Sequence, residues 1–286
     1  MASMGWRRHS RRPSGPSDRL TSRSRGRVNH KVARRTEISR IERQIRGCAG
    51  VVLVLVAWQL LSDHRVINPY IWSSPSRVWS GLFDLIHQGL LGRACWQSLK
   101  LFFWGFTAAA VSGILLGVIL GWYRRPRAVL DPWVSMLYAA PRVGLIPVII
   151  AAAGIGMKAQ IIVVWTAAVF PIIINVAVGV DAIDRDYLRV ARSFLATNRD
   201  VLRGIAVPGA LPLIIAGLRQ GLTAAMIGVV IAEYFVGNDG VGGLIITASG
   251  SGQTGEAFVG AFIFSVTTLT VTSLLRLFER RVSTWR

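Results

Sequence analysis

Three charged side chains fall inside otherwise apolar stretches of the sequence, where they could bind a polar group. They are Arg142, Arg219 and Glu233. A charge within a membrane costs roughly 3 kcal/mol or more, so such side chains usually face a cavity, a partner or a polar pathway. Ion pairs or carbonyl contacts between packed helices are the alternative, and solvation is a further one for Glu233, near the end of its stretch. Arg219 and Glu233 do not pair with each other, because one helix separates them by about 21 Å.

The remaining polar motifs predict no catalysis. Residues 250–255 spell GxGxxG, but no strand precedes them and no acidic partner is near, so they are interpreted as a flexible loop rather than a dinucleotide site. The sequence contains no GxxxxGK[ST] phosphate loop, so any ATP hydrolysis must reside in a separate subunit. No two of the four histidines have metal-ligand spacing, and no nucleophile with its base can be assembled. We therefore expect no catalytic residue, no metal and no cofactor, and the chain is not interpreted as an enzyme.

The composition is typical of a protein with several membrane spans. Hydrophobic residues make up 52% of the 286 residues, charged residues make up 16%, and the mean hydropathy is +0.47. The net charge of +19 would suggest nucleic acid in a soluble protein, but here the basic residues flank apolar runs. Membrane orientation explains them better, so no nucleic acid partner is expected. The two cysteines, Cys48 and Cys95, form neither a metal set nor an expected disulfide.

Six apolar runs predict an all-α fold with about six transmembrane helices in a bilayer whose hydrocarbon is about 30 Å thick. The runs are residues 45–61, 101–122, 134–153, 160–180, 211–236 and 257–278. In the second run, Gly113, Gly117 and Gly121 recur every four residues and favour close helix packing. In the third, Pro141 and Pro147 predict a break, which is tolerated only inside protein or beside a watery cavity.

The basic residues predict that both termini are cytoplasmic. Of the 33 Lys and Arg residues, 26 fall in segments that this topology places inside and five in segments that it places outside, in agreement with the positive-inside rule. Residues 1–44 are interpreted as a disordered basic tail and residues 45–286 as the transmembrane domain. On the outside, Pro75 after Ser74 is expected to begin an amphipathic surface helix. The Gly- and Ser-rich residues 238–256 are interpreted as a long external loop.

One long arginine-rich segment, residues 184–212, lies between two apolar runs in the second half of the chain. A single helical face carries Tyr187, Val190, Ala191 and Phe194, so the first part predicts an amphipathic helix. Thr197 followed by Asp200 predicts a capping box that opens a second helix, from residue 198 to about residue 206, ending near Pro208.

This helix, turn and helix resembles the coupling loop of permease subunits in ATP-binding-cassette importers, in the branch that handles nitrate, sulfonates and taurine. The matching residues are Ala191, Arg192, Ser193, Ala196, Val207, Pro208, Ala210, Leu211 and Pro212. Arg189 replaces the Glu of the family signature, Val190 its first Ala, and Leu195 its Gly. Similar stretches, from SSPSRVWSGL at Ser73 to RLFERR, extend the resemblance over residues 73–282.

The resemblance implies a permease in the bacterial inner membrane that pairs with a second copy of itself. Two ATPase subunits would dock on residues 184–206, and an external solute-binding protein would deliver a small oxyanion such as a sulfonate, taurine or nitrate. The ATPase contact would involve Tyr187, Leu188, Arg189, Ala191, Arg192, Phe194, Leu195 and Asn198, with Arg189 meeting an acidic patch. Arg142, Arg219 and Glu233 become candidates for the wall of the translocation pathway. A stand-alone secondary transporter or channel is the alternative, but it would need ionisable relays or an internal repeat, and the sequence has neither.

Overall fold

A computed structural model describes residues 46–47, 49–64, 66, 68–237 and 239–282. Every regular element in these ranges is helical, which confirms the all-α fold. The α-helices are α1 (Ala49–Asp63), α2 (Pro69–Trp72), α3 (Pro75–His87), α4 (Leu90–Trp122), α5 (Arg124–Ala139), α6 (Ile146–Ala153), α7 (Met157–Asp181), α8 (Arg185–Ser193), α9 (Asn198–Val201), α10 (Val207–Phe235), α11 (Val241–Gly250) and α12 (Thr254–Val282). A 3-10 turn, Arg142–Leu145, precedes α6, and a π turn, Leu202–Ala206, precedes α10. The predicted basic tail and Cys48 lie outside the described residues.

Four helices in the described ranges are long and apolar enough to cross a membrane. They are α4, α7, α12, and α10 together with the two short elements before it. The bent pair of α5 and α6 brings the number to five. The first predicted run corresponds to α1, a shorter apolar helix, so the predicted count of six is reached only if α1 also crosses. The second of two units in the chain begins at Leu61 and contains α2 to α12.

Helix α7 is the centre of the second unit, with α4 packed on one side and α10 on the other. The glycine stripe of α4 makes the first contact possible, because a Cβ at Gly113, Gly117 or Gly121 would lie within 2.9 Å of an α7 side chain. The α7 side chains that fill this space are Ile172, Val176 and Val180. The close packing predicted from the four-residue glycine repeat is therefore confirmed.

Helix α10 approaches α7 in the same way from the other side. A Cβ at Gly217 would lie 2.9 Å from the Cβ of Asn175, and a Cβ at Gly221 would lie 2.6 Å from Cγ1 of Ile172. This close approach brings polar side chains of the two helices within hydrogen-bonding distance of each other. The glycines therefore position the cavity described below.

The third apolar run is broken, as its two prolines predict. Helix α5 ends at Ala139, and Ala140 adopts the extended backbone that a following proline favours. Pro141 then precedes the 3-10 turn, and Pro147 lies in the first turn of α6, where its missing N–H is tolerated. The two helices meet at a bend of 97°. Arg127 of α5 also forms an ion pair with Asp181 at the end of α7, with 2.7 Å between Nη1 and Oδ2.

Two segments between the apolar runs test the predictions of a surface helix at Pro75 and of a loop at residues 238–256. The amphipathic helix predicted at Pro75 is confirmed as α3, and its N-cap Ser74 accepts a hydrogen bond from the Arg77 N–H. The loop predicted at residues 238–256 is wrong, because that region contains α11. Gly242 of this helix permits close packing, since a Cβ there would lie 2.9 Å from the Cβ of Glu233.

Candidate functional site

A polar cavity of about 450 Å³ opens between α5, α7, α10 and α12. We call it the Arg219 cavity. It is lined by Tyr138, Pro171, Asn175, Ala216, Arg219, Gln220, Thr223, Ala224, Ile227 and Thr272. Arg219 is exposed in the single chain and is the only charged residue in this lining. A concave site with one cation and several amides and hydroxyls can bind a small polar anion.

Hydrogen bonds within α7, within α10 and between the two helices hold the polar side chains that line the Arg219 cavity. The Nδ2 of Asn175 donates to the carbonyl oxygen of Pro171 at 2.8 Å and to Oε1 of Gln220 at 2.7 Å. On the adjacent turn, the Thr223 hydroxyl donates to the Arg219 carbonyl at 3.1 Å. The side chains next to Arg219 are thus fixed by partners on their own helices and across the helix pair.

The structure separates the three charged residues that the sequence analysis grouped together. Arg219 lines the cavity. Arg142 begins the 3-10 turn, but its side chain lies outside the described part of the structure. Glu233 does not line the cavity and is 0% exposed, so solvation, which was one alternative for this residue, does not apply in the folded chain.

Glu233 forms a closed hydrogen-bond network at the C-terminal end of α10, which we call the Glu233 clasp. Its Oε1 accepts a hydrogen bond from the Ser98 hydroxyl at 2.6 Å, and its Oε2 accepts one from the Gly242 N–H at 2.7 Å. The Val241 N–H donates to the Ser98 oxygen at 2.9 Å. The clasp therefore ties α4, α10 and the first turn of α11 together.

The clasp supplies the cap that α11 lacks in its own sequence. The N-cap position is Gly240, which has no side chain to accept from the first N–H groups. Glu233 and Ser98 accept from them instead, and a carboxylate is favourable at the positive end of a helix. Gly240 has a φ of +94°, and a Cβ there would run into Oε1 of Glu233, so this position requires glycine.

Sequence reasoning missed Ser98, Asn175 and Gln220 as site residues. Each is a polar side chain in an apolar helix, which is the signal that could have drawn attention to it. However, Ser98 bonds to a residue 135 positions away and Asn175 to one 45 positions away. The sequence alone does not show which of these side chains meet.

The arginine-rich segment forms the two helices that the sequence predicts. Helix α8 ends at Ser193, and α9 opens with the predicted capping box. In that box Asp200 N–H donates to Thr197 Oγ1 at 3.3 Å and Thr197 N–H donates to Asp200 Oδ2 at 3.0 Å. The predicted end near Pro208 is wrong, because α10 begins at Val207 without a break. A π turn, which is wider than an α-helical turn, lies just before α10. Pro208 lacks an N–H, so it cannot donate a hydrogen bond to this preceding turn.

The apolar face of α8 and the turn after it are open in the single chain. The exposed fractions are 66% for Tyr187, 57% for Val190, 81% for Phe194 and 91% for Leu195. Leu195 has a φ of +58°, a left-handed conformation that costs a side-chain-bearing residue roughly 1–2 kcal/mol. The family signature quoted above has glycine at this position. Arg189 bonds within its own helix, with Nη1 at 3.3 Å from Oδ1 of Asp186.

Comparisons with known proteins match most of the chain. The family described as "Binding-protein-dependent transport system inner membrane component" matches residues 113–284. The putative aliphatic sulfonates transport permease protein SsuC of Bacillus subtilis is 28% identical, over 85% of this chain and 88% of its own. The nitrate import permease protein NrtB of Synechocystis is 29% identical over 83% and 89%. The taurine transport system permease protein TauC of Escherichia coli is 27% identical over 86% and 91%.

Solved structures agree in fold. A chain from a crystal structure of an amino acid ABC transporter superimposes with a TM-score of 0.59 at 20% identity. The match covers 70% of this chain and 97% of the other. A chain of the MetNI methionine ABC transporter in an inward-facing conformation gives a TM-score of 0.57 at 22% identity, covering 68% and 95%. At this identity the similarity establishes the arrangement of the helices.

Proposed function

Since the chain belongs to the family of binding-protein-dependent transport system inner membrane components, we propose that it lines the route by which an importer takes up a small oxyanion. The chain is a multi-pass membrane protein and the permease subunit of an ATP-binding-cassette importer, not an enzyme. The names of its relatives mention aliphatic sulfonates, nitrate and taurine. These solutes share a sulfur or nitrogen atom that carries several oxygens, and this supports an oxyanion as the solute.

The Arg219 cavity is the observation that carries the proposal. Arginine and amide groups recognise oxyanions through charge-assisted and neutral hydrogen bonds. The cavity has such groups at the middle of α10, and no acidic residue is among its lining residues. Arg142 is proposed as a second pathway residue, on the broken third span. Glu233 is assigned to the wall at the outer end of the proposed pathway, where it holds α11 in place.

The ATPase subunits are proposed to dock on residues 184–206. The exposed apolar face of α8, the rigid capping box and Leu195 form a surface that a groove on a partner can cover. The proposed contact residues are Tyr187, Leu188, Arg189, Ala191, Arg192, Phe194, Leu195 and Asn198. Arg189, which is 78% exposed, is proposed to meet an acidic patch on the ATPase.

The remaining partners follow from the proposed topology in a bacterial inner membrane, with both termini in the cytoplasm. An extracytoplasmic solute-binding protein would deliver the solute to the outer loops. A second copy of the chain would close the open side of the Arg219 cavity, because Arg219 is exposed in the single chain. The basic residues that support this orientation flank the spans.

Uptake by the reconstituted complex tests the proposal. The chain, its ATPase and its binding protein are placed in vesicles, and uptake of a radiolabelled sulfonate, taurine or nitrate is measured with and without ATP. We expect ATP-dependent uptake that Arg219→Ala reduces by about a hundredfold. Lys158→Ala is the matched control, because Lys158 is an exposed cation in the first turn of α7 and lies outside the cavity.

Two results would contradict the proposal in different ways. Uptake by the chain without its ATPase would support the stand-alone transporter instead. ATP-dependent uptake that is equal in Arg219→Ala and wild type would remove the Arg219 cavity from the pathway while leaving the importer assignment intact.

A further inference from the structure

The orientation of one amide in the Arg219 cavity is determined by a backbone carbonyl. The Pro171 carbonyl oxygen can only accept a hydrogen bond, so the group of Asn175 that lies 2.8 Å from it must be the NH2 group. The same Nδ2 lies 2.7 Å from the Gln220 side chain. That side chain must therefore present its oxygen to Asn175. The two protons of Asn175 Nδ2 are then both used.

This orientation determines what Gln220 offers to the cavity. With Oε1 held by Asn175, its Nε2 keeps two N–H groups, and no residue in the described ranges accepts a hydrogen bond from it. Gln220 is exposed in the cavity wall and follows Arg219 in the chain. The guanidinium and the amide together present only donors from this part of α10. Such a pair is complementary to an oxygen-bearing anion and not to a cation.

We propose that Gln220 is a specificity-determining residue that donates hydrogen bonds to the oxygens of the transported anion, and that Asn175 is the positioning residue that keeps its NH2 group turned toward the cavity. The inference rests on the proposed function, since it assumes that the solute passes through the Arg219 cavity. It adds that the solute carries at least two acceptor oxygens, one for the guanidinium and one for the amide. Sulfonate and nitrate groups both meet this requirement.

The amount of solute moved per ATP hydrolysed distinguishes a role of Gln220 in solute recognition from a structural role. Stimulation of ATP hydrolysis by the loaded binding protein reports assembly and docking, whereas uptake reports capture of the solute in the cavity. Gln220→Met removes the donor and keeps the side-chain length without adding charge. We expect solute moved per ATP to fall about tenfold, while stimulated ATP hydrolysis stays within about twofold of wild type. Thr270→Val removes an exposed hydroxyl donor from α12, outside the lining of the cavity; it is the control and should match wild type in both.

Asn175→Asp tests the positioning role. A carboxylate cannot donate to the Pro171 carbonyl or to Gln220, so the Gln220 amide turns its NH2 toward the carboxylate and its oxygen toward the cavity. We expect a similar loss of solute moved per ATP. In the double variant Asn175→Asp with Gln220→Met, solute moved per ATP should be less than about twofold lower than in Gln220→Met alone. The second change has little further effect because Asn175 acts through Gln220.

The outcomes distinguish the inference from the proposed function. If wild type shows ATP-driven uptake that depends on Arg219, but Gln220→Met matches wild type in solute moved per ATP, the inference alone is wrong. If Asn175→Asp causes its full loss in the Gln220→Met background as well, it acts through its charge, and the positioning role is wrong. Absence of any dependence on Arg219 removes the Arg219 cavity from the proposed pathway, and with it the premise of the inference.

Discussion

Helix α10 carries two charged side chains, and they lie in opposite surroundings. Arg219, near its middle, is exposed in the wall of a polar cavity. Glu233, near its end, is 0% exposed, and both of its carboxylate oxygens accept hydrogen bonds from fixed donors. One charge has room beside it for a solute and the other has none.

The difference shows that a charge in an apolar helix is not in itself a sign of a transport site. The energetic cost of burying a charge can be offset by a solute or by the protein's own groups. Glu233 is compensated by Ser98 and by the first turn of α11, so its role is to hold helices together. Arg219 lines a cavity that a small anion can enter.

The largest effect that separates the two residues is expected from Glu233→Met. Methionine keeps most of the volume but leaves the Ser98 hydroxyl and the Gly242 N–H without their acceptor. Loss of such a buried charged partner lowers the free energy of unfolding by about 3 kcal/mol or more. Thermal unfolding in detergent should show a fall of about 6–12 °C. A melting temperature equal to that of wild type would mean that the clasp does not stabilise the fold.

Arg219→Met is expected to reduce uptake and to leave the melting temperature nearly unchanged. Uptake should fall about a hundredfold, equivalent to about 2.7 kcal/mol, because the cation proposed to bind the solute is lost. The melting temperature should stay within about 2 °C of wild type, since the residue is exposed in the cavity wall. Uptake and melting are measured on the same preparation. A large drop in melting temperature would assign Arg219 a structural role like that of Glu233.

Ser98→Ala is a milder test of the clasp. The Val241 N–H loses its acceptor and Glu233 loses one of its two donors, so the free energy of unfolding should fall by about 1–2 kcal/mol. Ser112→Ala is the matched control, because that hydroxyl bonds within α4 and to Trp165, far from α11. Hydrogen exchange of the Val241 amide should rise in Ser98→Ala and not in Ser112→Ala. Equal exchange in both variants would contradict the capping role.

The smallest effect is expected from Leu195→Gly, which extends the comparison to an exposed residue of the arginine-rich segment. Glycine accepts the positive φ without strain, so the free energy of unfolding should rise by about 0.5–1 kcal/mol. Stimulation of the ATPase should fall, because Leu195 is 91% exposed and is part of the proposed docking surface. Increased stability together with unchanged ATPase stimulation would remove Leu195 from the docking surface.

Features that depend on local chemistry could be predicted from the sequence. The break at Pro141, the Ser74 cap and the capping box of Thr197 and Asp200 all follow from short-range backbone preferences. The glycine repeat of α4 also predicted close packing, because helical periodicity brings these residues to one face. The family resemblance, carried by many collinear stretches, predicted the importer permease fold.

Features that depend on distant partners could not be predicted. The Gly-rich composition of residues 238–256 indicates a loop, whereas the cap that makes α11 possible comes from Glu233 and Ser98 on other helices. The pairing of Asn175 with Gln220 requires the close contact of α7 and α10, which only the folded chain provides. The opposite surroundings of Arg219 and Glu233 have the same origin, since periodicity places both on α10 and tertiary packing separates them.

Paired cysteine labelling tests this difference most directly. In a background lacking Cys48 and Cys95, Ala216→Cys places a thiol in the lining of the Arg219 cavity, and Ala232→Cys places one beside Glu233, where the alanine is 0% exposed. A water-soluble, charged thiol reagent is applied to the assembled importer, and the modified fraction is measured by mass spectrometry. We predict modification of Ala216→Cys, slowed by the transported anion, and none of Ala232→Cys. Equal labelling of the two, or labelling of Ala232→Cys alone, would contradict the assignment of the pathway to the Arg219 cavity.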